Sequence, residues 1–306
     1  MPLFSIKAKK LQMVKEVDFG LERDIQTLTE ENLEAVFNLK FIKSEFSLNN
    51  LRIDTLAYDE RSKSFVIIEF KNDRSFSVID QGFAYLSLML NNKAEFILEY
   101  NQCGNKNIKK EDIDWTQSKV IFVSPQFSKY QQQAINFRDL PIELWQVSKY
   151  TSDLVQYLKL ETPDSSESIK TISKKSKVVE EVSREVKVYT EEDHLERVGD
   201  SIREIYNKIK QEILSVDDKI IFNPQKYYVS LRKDRNFAFI SFSKSKMKIV
   251  IMLPYEKGEQ MVKYNKISPL SDGVQRFYNG HCFEVQVEEG SNLPEILELI
   301  KMSKEV

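Results

Sequence analysis

A chain of 306 residues, 41% hydrophobic, 30% charged and 11% aromatic, has the make-up of an ordinary globular protein with room for about two domains. Its 45 Lys and Arg against 47 Asp and Glu give a formal charge of −2, which excludes a polybasic coat but not a local basic groove. No apolar run approaches the ~20 residues that span a bilayer. The lysines follow the short apolar start, the wrong order for a signal peptide. Cys103 and Cys282 stand too far apart to suggest a disulfide framework or a zinc site, and the expectation is a cytoplasmic protein.

In chain order, Arg23 to Leu39 carries Ile25, Leu28, Leu33, Val36 and Phe37 at roughly helical spacing. Three β-like runs follow: Phe41–Leu48, Arg52–Tyr58 and Phe65–Phe70. The turns between them are short and polar, which predicts an antiparallel meander. Val78 to Asn92, apolar almost all round and closed by two Asn, predicts a buried helix. Glu95–Tyr100 reads as a strand, and Lys119–Ser124 as another after a polar excursion. A helix around Lys129–Phe137 and a strand Ile142–Val147 follow. Residues 1–155 are thus expected to form an α/β domain with a mixed central sheet. A charged stretch rich in Ser, Lys and Glu, 156–190, reads as a linker that is partly helical. Residues 191–306 form a separate α+β domain of unassigned role. It should open with a helix from His194 to Leu214, continue as β runs between Lys219 and Val287, and end with a helix Leu293 to Met302.

The chemistry is concentrated in RIDTLAYDERSKSFVIIEFKNDRSFSVIDQGFAYLSLML. Alternate residues of a strand share a face, so Ile67, Glu69 and Lys71 point one way and Val66, Ile68 and Phe70 the other. Arg52, Asp54 and Leu56 share a face of the preceding strand. If the two strands pair through the Asp59–Ser64 turn, Asp54 lies near Glu69. Two carboxylates and a lysine set among Val, Ile and Phe are costly to bury unless paired or bound to metal. Asp54, Glu69 and the Phe70 carbonyl are the hard oxygen donors that Mg²⁺ or Mn²⁺ prefers. Lys71 can orient a water or stabilise phosphate oxygens as a fixed positive charge. A buried structural ion pair is the plain alternative for Asp54 and Lys71.

An Asp followed about 15 residues later by Glu-x-Lys, on the second and third strands after an initial helix, resembles the PD-(D/E)XK nuclease superfamily. Gln81 and Tyr85 add a Gln-x-x-x-Tyr pair on the next helix, as in its RecB-like and NucS-like branches, and their spacing puts both on one helical face. The resemblance implies a restriction-endonuclease-like fold and a Mg²⁺- or Mn²⁺-dependent endonuclease acting on DNA. It implies Asp54 and Glu69 as metal ligands, Lys71 at the attacking water, and Gln81 and Tyr85 at the border of the site. NucS-like enzymes also carry a Glu near the start of the first helix. Glu22 matches best by offset, with Glu31 as its rival. Ile53 stands where the motif's Pro would be. DNA is the expected partner and a homodimer is allowed; neither a membrane nor a nucleotide cofactor is expected. The second domain resembles an uncharacterised family that recurs behind such nuclease domains and has been labelled "predicted transport protein"; nothing in this sequence supports transport. The rival readings are a nuclease fold that binds nucleic acid without cutting it, and a protein-interaction module.

Arg52 and Arg74 are candidate phosphate contacts. Between Lys226 and Lys248 lie seven Lys and Arg against the single acid Asp234. The alternation of Lys244, Lys246 and Lys248 predicts one basic strand face, with Tyr227, Tyr228, Phe237, Phe239 and Phe242 nearby for base stacking. The plain alternative is a lysine-blunted edge strand over a core of aromatics. His281 beside Cys282 reads as turn and strand packing.

Overall fold

The structure, a computed structural model, describes residues 3–72, 77–104, 107–137, 139–160, 168–169, 176–233, 235–278 and 280–305. The chain divides into two compact units, Met1–Val188 and Tyr189–Val306.

The first unit opens with a hairpin of β1 (Leu3–Lys7) and β2 (Lys10–Val14), then the short β3 (Glu16–Val17). The helical stretch is two helices, α1 (Glu22–Glu31) and α2 (Leu33–Phe37). Asn32 closes the first, and Asn38, left-handed at φ 56°, closes the second. The meander forms as expected from β4 (Lys40–Leu48), β5 (Leu51–Asp59) and β6 (Ser64–Phe70), each antiparallel to the next. After α3 (Val78–Asn91) comes α4 (Lys93–Gly104), where the sequence predicted a strand at Glu95–Tyr100. Phe96 and Tyr100, four residues apart, reach the same aromatic cluster of Phe65, Phe46 and Tyr58; a helical turn sets such a pair ~6 Å apart, where a strand would hold it ~13 Å apart. The chain then returns through β7 (Lys119–Ser124), α5 (Lys129–Ala134) and β8 (Ile142–Tyr150), both strands parallel to β6. The sheet order is β3-β8-β7-β6-β5-β4, with a further strand β9 (Leu154–Lys159) on β8. Both β9 and α6 (Lys177–Glu185) lie inside the 156–190 span or at its edge, and both fold onto this unit: Val182 enters its core and Lys187 N donates to Thr116 O at 2.9 Å.

This mixed sheet is covered on both faces, which explains why β5 and β6 read as near-continuous apolar runs. One face packs Val66, Ile68 and Phe70 against Ile25, Leu33 and Phe37 of α1 and α2. The other packs Leu56, Phe65 and Ile67 against Phe83, Leu86 and Phe96 of α3 and α4.

The second unit is an α+β domain. The expected single helix is α7 (Glu191–Leu195) and α8 (Asp200–Val216), split where Gly199 caps the second. An antiparallel sheet follows in the order β10-β11-β12-β13-β15-β14, namely β10 (Ile221–Pro224), β11 (Val229–Arg232), β12 (Asn236–Phe242), β13 (Met247–Ile251), β14 (Lys266–Pro269) and β15 (Phe283–Val287). Short helices α9 (Tyr255–Met261) and α10 (Asp272–Tyr278) interrupt it, and α11 (Leu293–Glu305) ends it. Ile202, Ile209 and Ile213 of α8 and Ile296, Leu299 and Ile300 of α11 share one core with the sheet. Among the described residues no helix is long and apolar enough to cross a membrane.

Candidate functional site

The site forms at the ends of β5 and β6, between the first turns of α1 and α3. In the β5–β6 register Thr55 faces Ile68; one step further, Asp54 faces Glu69. Both carboxylates are buried, at 8% and 2% exposure. Asp54 Oδ2 accepts from the backbone N–H of Phe70 at 2.9 Å. Glu69 Oε1 accepts from Lys71 Nζ at 2.7 Å and from Gln81 Nε2 at 2.9 Å. Gln81 also donates to the Tyr85 hydroxyl at 3.1 Å, and Tyr85 donates in turn to the Arg52 carbonyl at 3.0 Å. The one-turn spacing on α3 therefore ties Glu69 of β6 to the backbone of β5.

Glu22, at the first position of α1, accepts from the backbone N–H of Asn72 at 2.9 Å. Gly20 at φ 85° makes the turn that aims it there, and Asp24 Oδ2 caps Leu21 N at 3.1 Å. The structure thus brings Asp54, Glu69, Lys71, Gln81, Tyr85 and Glu22 together. Glu31 lies on the exposed side of α1 and takes no part. The sequence reading missed Gln26, one turn after Glu22: its Nε2 donates to the Asp54 carbonyl at 3.1 Å and to Glu30 Oε1 at 3.1 Å. Thr55 donates to the same Glu30 oxygen. The signal available was the Glu22, Gln26, Glu30 stripe at four-residue spacing.

Burial, then the charge of Glu69, pushes the Asp54 carboxyl from its ordinary value near 3.8 up to about 7, with a smaller push from Glu22. Burial also raises Glu69, against the opposing pull of Lys71. For Lys71, burial favours the neutral amine, but the hydrogen bond and charge of Glu69, with Asp54 and Glu22, outweigh it and hold the ammonium form. Burial and the Glu69 charge keep Tyr85 a neutral donor.

Among the described residues, three acids against one cation leave the cleft short of positive charge, and Glu69 Oε2 is buried without a hydrogen-bond partner. A hard divalent cation fits that deficit. Among the described residues no group of three or more His, Cys, Asp or Glu is placed to hold a metal ion, so the protein donors at hand are Asp54, Glu69 and the Phe70 carbonyl. Mg²⁺ and Mn²⁺ keep several waters and take only a few oxygen ligands from a protein.

The expected nucleic-acid contacts fare differently. Arg52 is exposed on the rim and paired with Glu45 at 2.8 Å. Arg74 lies outside the described residues. The basic strand face on the second unit does not exist as expected. Lys244 and Lys246 sit in the turn between β12 and β13, with Lys246 O accepting from Ser243 N at 2.8 Å. Lys248 alone is on β13 and is paired with Glu284 of β15 at 2.8 Å. Tyr228, Phe237 and Phe239 are buried and Phe242 packs on Tyr206, because alternation along β11 and β12 spends these rings on the two cores. Of those five aromatics Tyr227 is the one well exposed, at 69%. Cys282 is buried, whereas His281 is exposed, its Nδ1 3.2 Å from Gln275 Oε1.

Residues 191–303 match a domain of unknown function, DUF5655. Over 303 residues the chain is 43% identical to an uncharacterized protein of Haemophilus influenzae, covering 99% of each. The chain belongs to the family of that protein. Within this family the correspondence extends through both units. Two solved structures resemble part of it. A repair endonuclease from Pyrococcus abyssi is 15% identical, covering 40% of this chain and 44% of its own, with a TM-score of 0.23. An EndoMS–dsDNA complex is 16% identical, covering 44% and 56%, with a TM-score of 0.24. Both likenesses are too slight to assign an activity.

Proposed function

We propose that the first unit is a divalent-metal-dependent deoxyribonuclease that hydrolyses phosphodiester bonds within DNA. The observation that carries this reading is Glu69. It is a buried carboxylate with one oxygen held by Lys71 and Gln81 and the other unpartnered among the described residues, facing Asp54 on the neighbouring apolar strand. Asp54, Glu69 and the Phe70 carbonyl would hold Mg²⁺ or Mn²⁺. When bound, such an ion supplies positive charge that offsets the charge growing on the phosphate and acidifies a water. Lys71 keeps its proton, so it acts as a positive charge beside the attacking water and the phosphate oxygens, not as a base. Gln81 fixes the rotamer of Glu69, and Tyr85 braces Gln81 against β5. Glu22 adds negative charge next to the ligand pair and anchors the backbone just after Lys71. Gln26 holds the Asp54 backbone in place.

The 2.7 Å Lys71–Glu69 pair also supports a second reading, a nuclease fold in which the pair is structural and nucleic acid is bound without being cut. The protein is incubated with labelled single-stranded and duplex DNA plus Mg²⁺ or Mn²⁺, beside Glu69→Gln. Cleavage by the wild type, lost by roughly 10²-fold or more in the variant while melting and DNA binding persist, supports the nuclease. At saturating Mn²⁺ the wild type should gain about 2–3 kcal/mol of stability, and Asp54→Ala should gain none. Equal cutting by Glu69→Gln overturns the site, and binding without cutting under every metal favours the second reading.

A further inference from the structure

β9 is an outer strand of the first unit's sheet: it pairs with β8, and among the described residues no strand lies beyond it. Its backbone orientation follows from one bond. Leu160 N donates to Leu144 O at 2.9 Å, and these two face each other one step past the Trp145–Lys159 pair. Hydrogen-bonded pairs alternate along an antiparallel ladder. Leu158, Gln156 and Leu154 therefore bond to β8, and the N–H and C=O groups of Val155 and Tyr157 point outward.

Such an edge is normally blunted by charge, proline or a bulge. From Leu154 to Leu158 there is no charge and no proline, and the register with β8 runs without a shift. The side chains left on the surface are apolar, with Leu154 44%, Val155 38% and Leu158 51% exposed.

We propose that β9 pairs antiparallel with β9 of a second copy of this chain, centred on Gln156, joining two sheets across a two-fold axis. A two-fold perpendicular to the sheet keeps each side chain on its own face, so the strand must be complementary to its own reverse. LVQYL, residues 154–158, is. Leu154 comes opposite the partner's Leu158, Val155 opposite the partner's Tyr157, and Gln156 opposite the partner's Gln156. The outward backbone groups of Val155 and Tyr157 then become the hydrogen-bonded pairs, and the leucines fall at the closer, non-bonded positions. Centring one residue earlier sets Leu154 against Gln156; centring one later sets Val155 against Lys159. This match of the strand to itself selects a second copy over an unrelated peptide.

The test is sedimentation equilibrium of the full chain up to ~100 µM, a range that captures weak but specific interfaces. A concentration-dependent dimer is expected. Leu158→Lys, which sets a charge against the partner's Leu154 at both ends, should raise its dissociation constant roughly tenfold or more, with an unchanged circular dichroism spectrum. In a Cys103→Ser background, Gln156→Cys should cross-link to a disulfide dimer, because the two-fold brings that position onto itself. Val155→Cys, offset from its own copy, should not. A monomer at every concentration overturns the proposal. So does a dimer that is indifferent to Leu158→Lys and fails to cross-link through Gln156→Cys.

Discussion

Asp54 carries a charge that the fold resists, and this has a thermodynamic consequence. Its folded-state value of about 7 lies above the ordinary 3.8, so between those limits the folded chain binds a proton that the unfolded chain has released. Rising pH therefore drains stability from the metal-free protein through that window, and Glu69, raised in the same sense, adds to it. The effect is isolated by comparing the wild type with Asp54→Asn, which retains an acceptor for the Phe70 N–H. In chelator, the wild type should lose stability relative to the variant from pH 5 to pH 8. The extra stability conferred by Mn²⁺ should grow over the same range, because protons and metal compete for the carboxylates. A wild type that gains on the variant as pH rises without metal would show Asp54 to be stabilised as the anion, contrary to its burial. Asp54, Glu69 and Lys71 were legible in the sequence because charge is rare inside an apolar strand and alternation fixes the face. Gln26 and Asn72 were not. They act through backbone groups, and which carbonyl or N–H lies in reach depends on how α1 sits on the sheet.

At the level of elements, the long periodic segments were readable and the short apolar runs were not. EFILEY, residues 95–100, has the composition of a strand, yet contact with Phe46, Phe65 and Tyr58 makes it part of α4. The same limit misled the lysine patch: Lys244, Lys246 and Lys248 alternate in sequence, but the turn between β12 and β13 consumes the first two. Helix α3 matters most, because it carries Gln81 and Tyr85 and because Gly82 sets its height over the sheet. A Cβ at Gly82 would stand 2.5 Å from Ile142 Cδ1 and 3.0 Å from Cγ1. Gly82→Ala gains about 0.5–1 kcal/mol of helix preference and loses about 1–3 kcal/mol to overpacking, so it should destabilise modestly. It should also lift Gln81 away from Glu69 and weaken the Mn²⁺-induced shift. Ile142→Val removes the Cδ1 in the way, so the double variant should be more stable than additivity predicts and should recover the metal response. Additive effects in denaturant melts would mean that Gly82 does not set the position of α3.

Across the whole molecule, two units of unlike sheet topology each own a core, and the boundary at Val188 and Tyr189 falls just before a well-built helix start. Thr190 and Asp193 cap α7 reciprocally, and Glu191 accepts from the Tyr206 hydroxyl at 2.5 Å and from Lys210 at 2.7 Å. Tyr206 is among the largest fully buried side chains, so the first turn of α7 is part of the second unit's core and not an approach to it. A fragment comprising residues 189–306 should fold by itself with one cooperative transition, since its sheet is antiparallel and closed over by α8 and α11. Beginning the fragment at residue 197 instead removes the Glu191 carboxylate and leaves the Tyr206 hydroxyl buried without its acceptor, a loss of about 1–3 kcal/mol. It also removes Leu195 from the core, about 2 kcal/mol more. Thermal melts of the two fragments, followed by far-ultraviolet circular dichroism, decide it: the longer should melt sharply and the shorter early or broadly. Equal melting of both would place α7 outside the folding unit, and failure of the longer one to fold would mean that the second unit depends on the first.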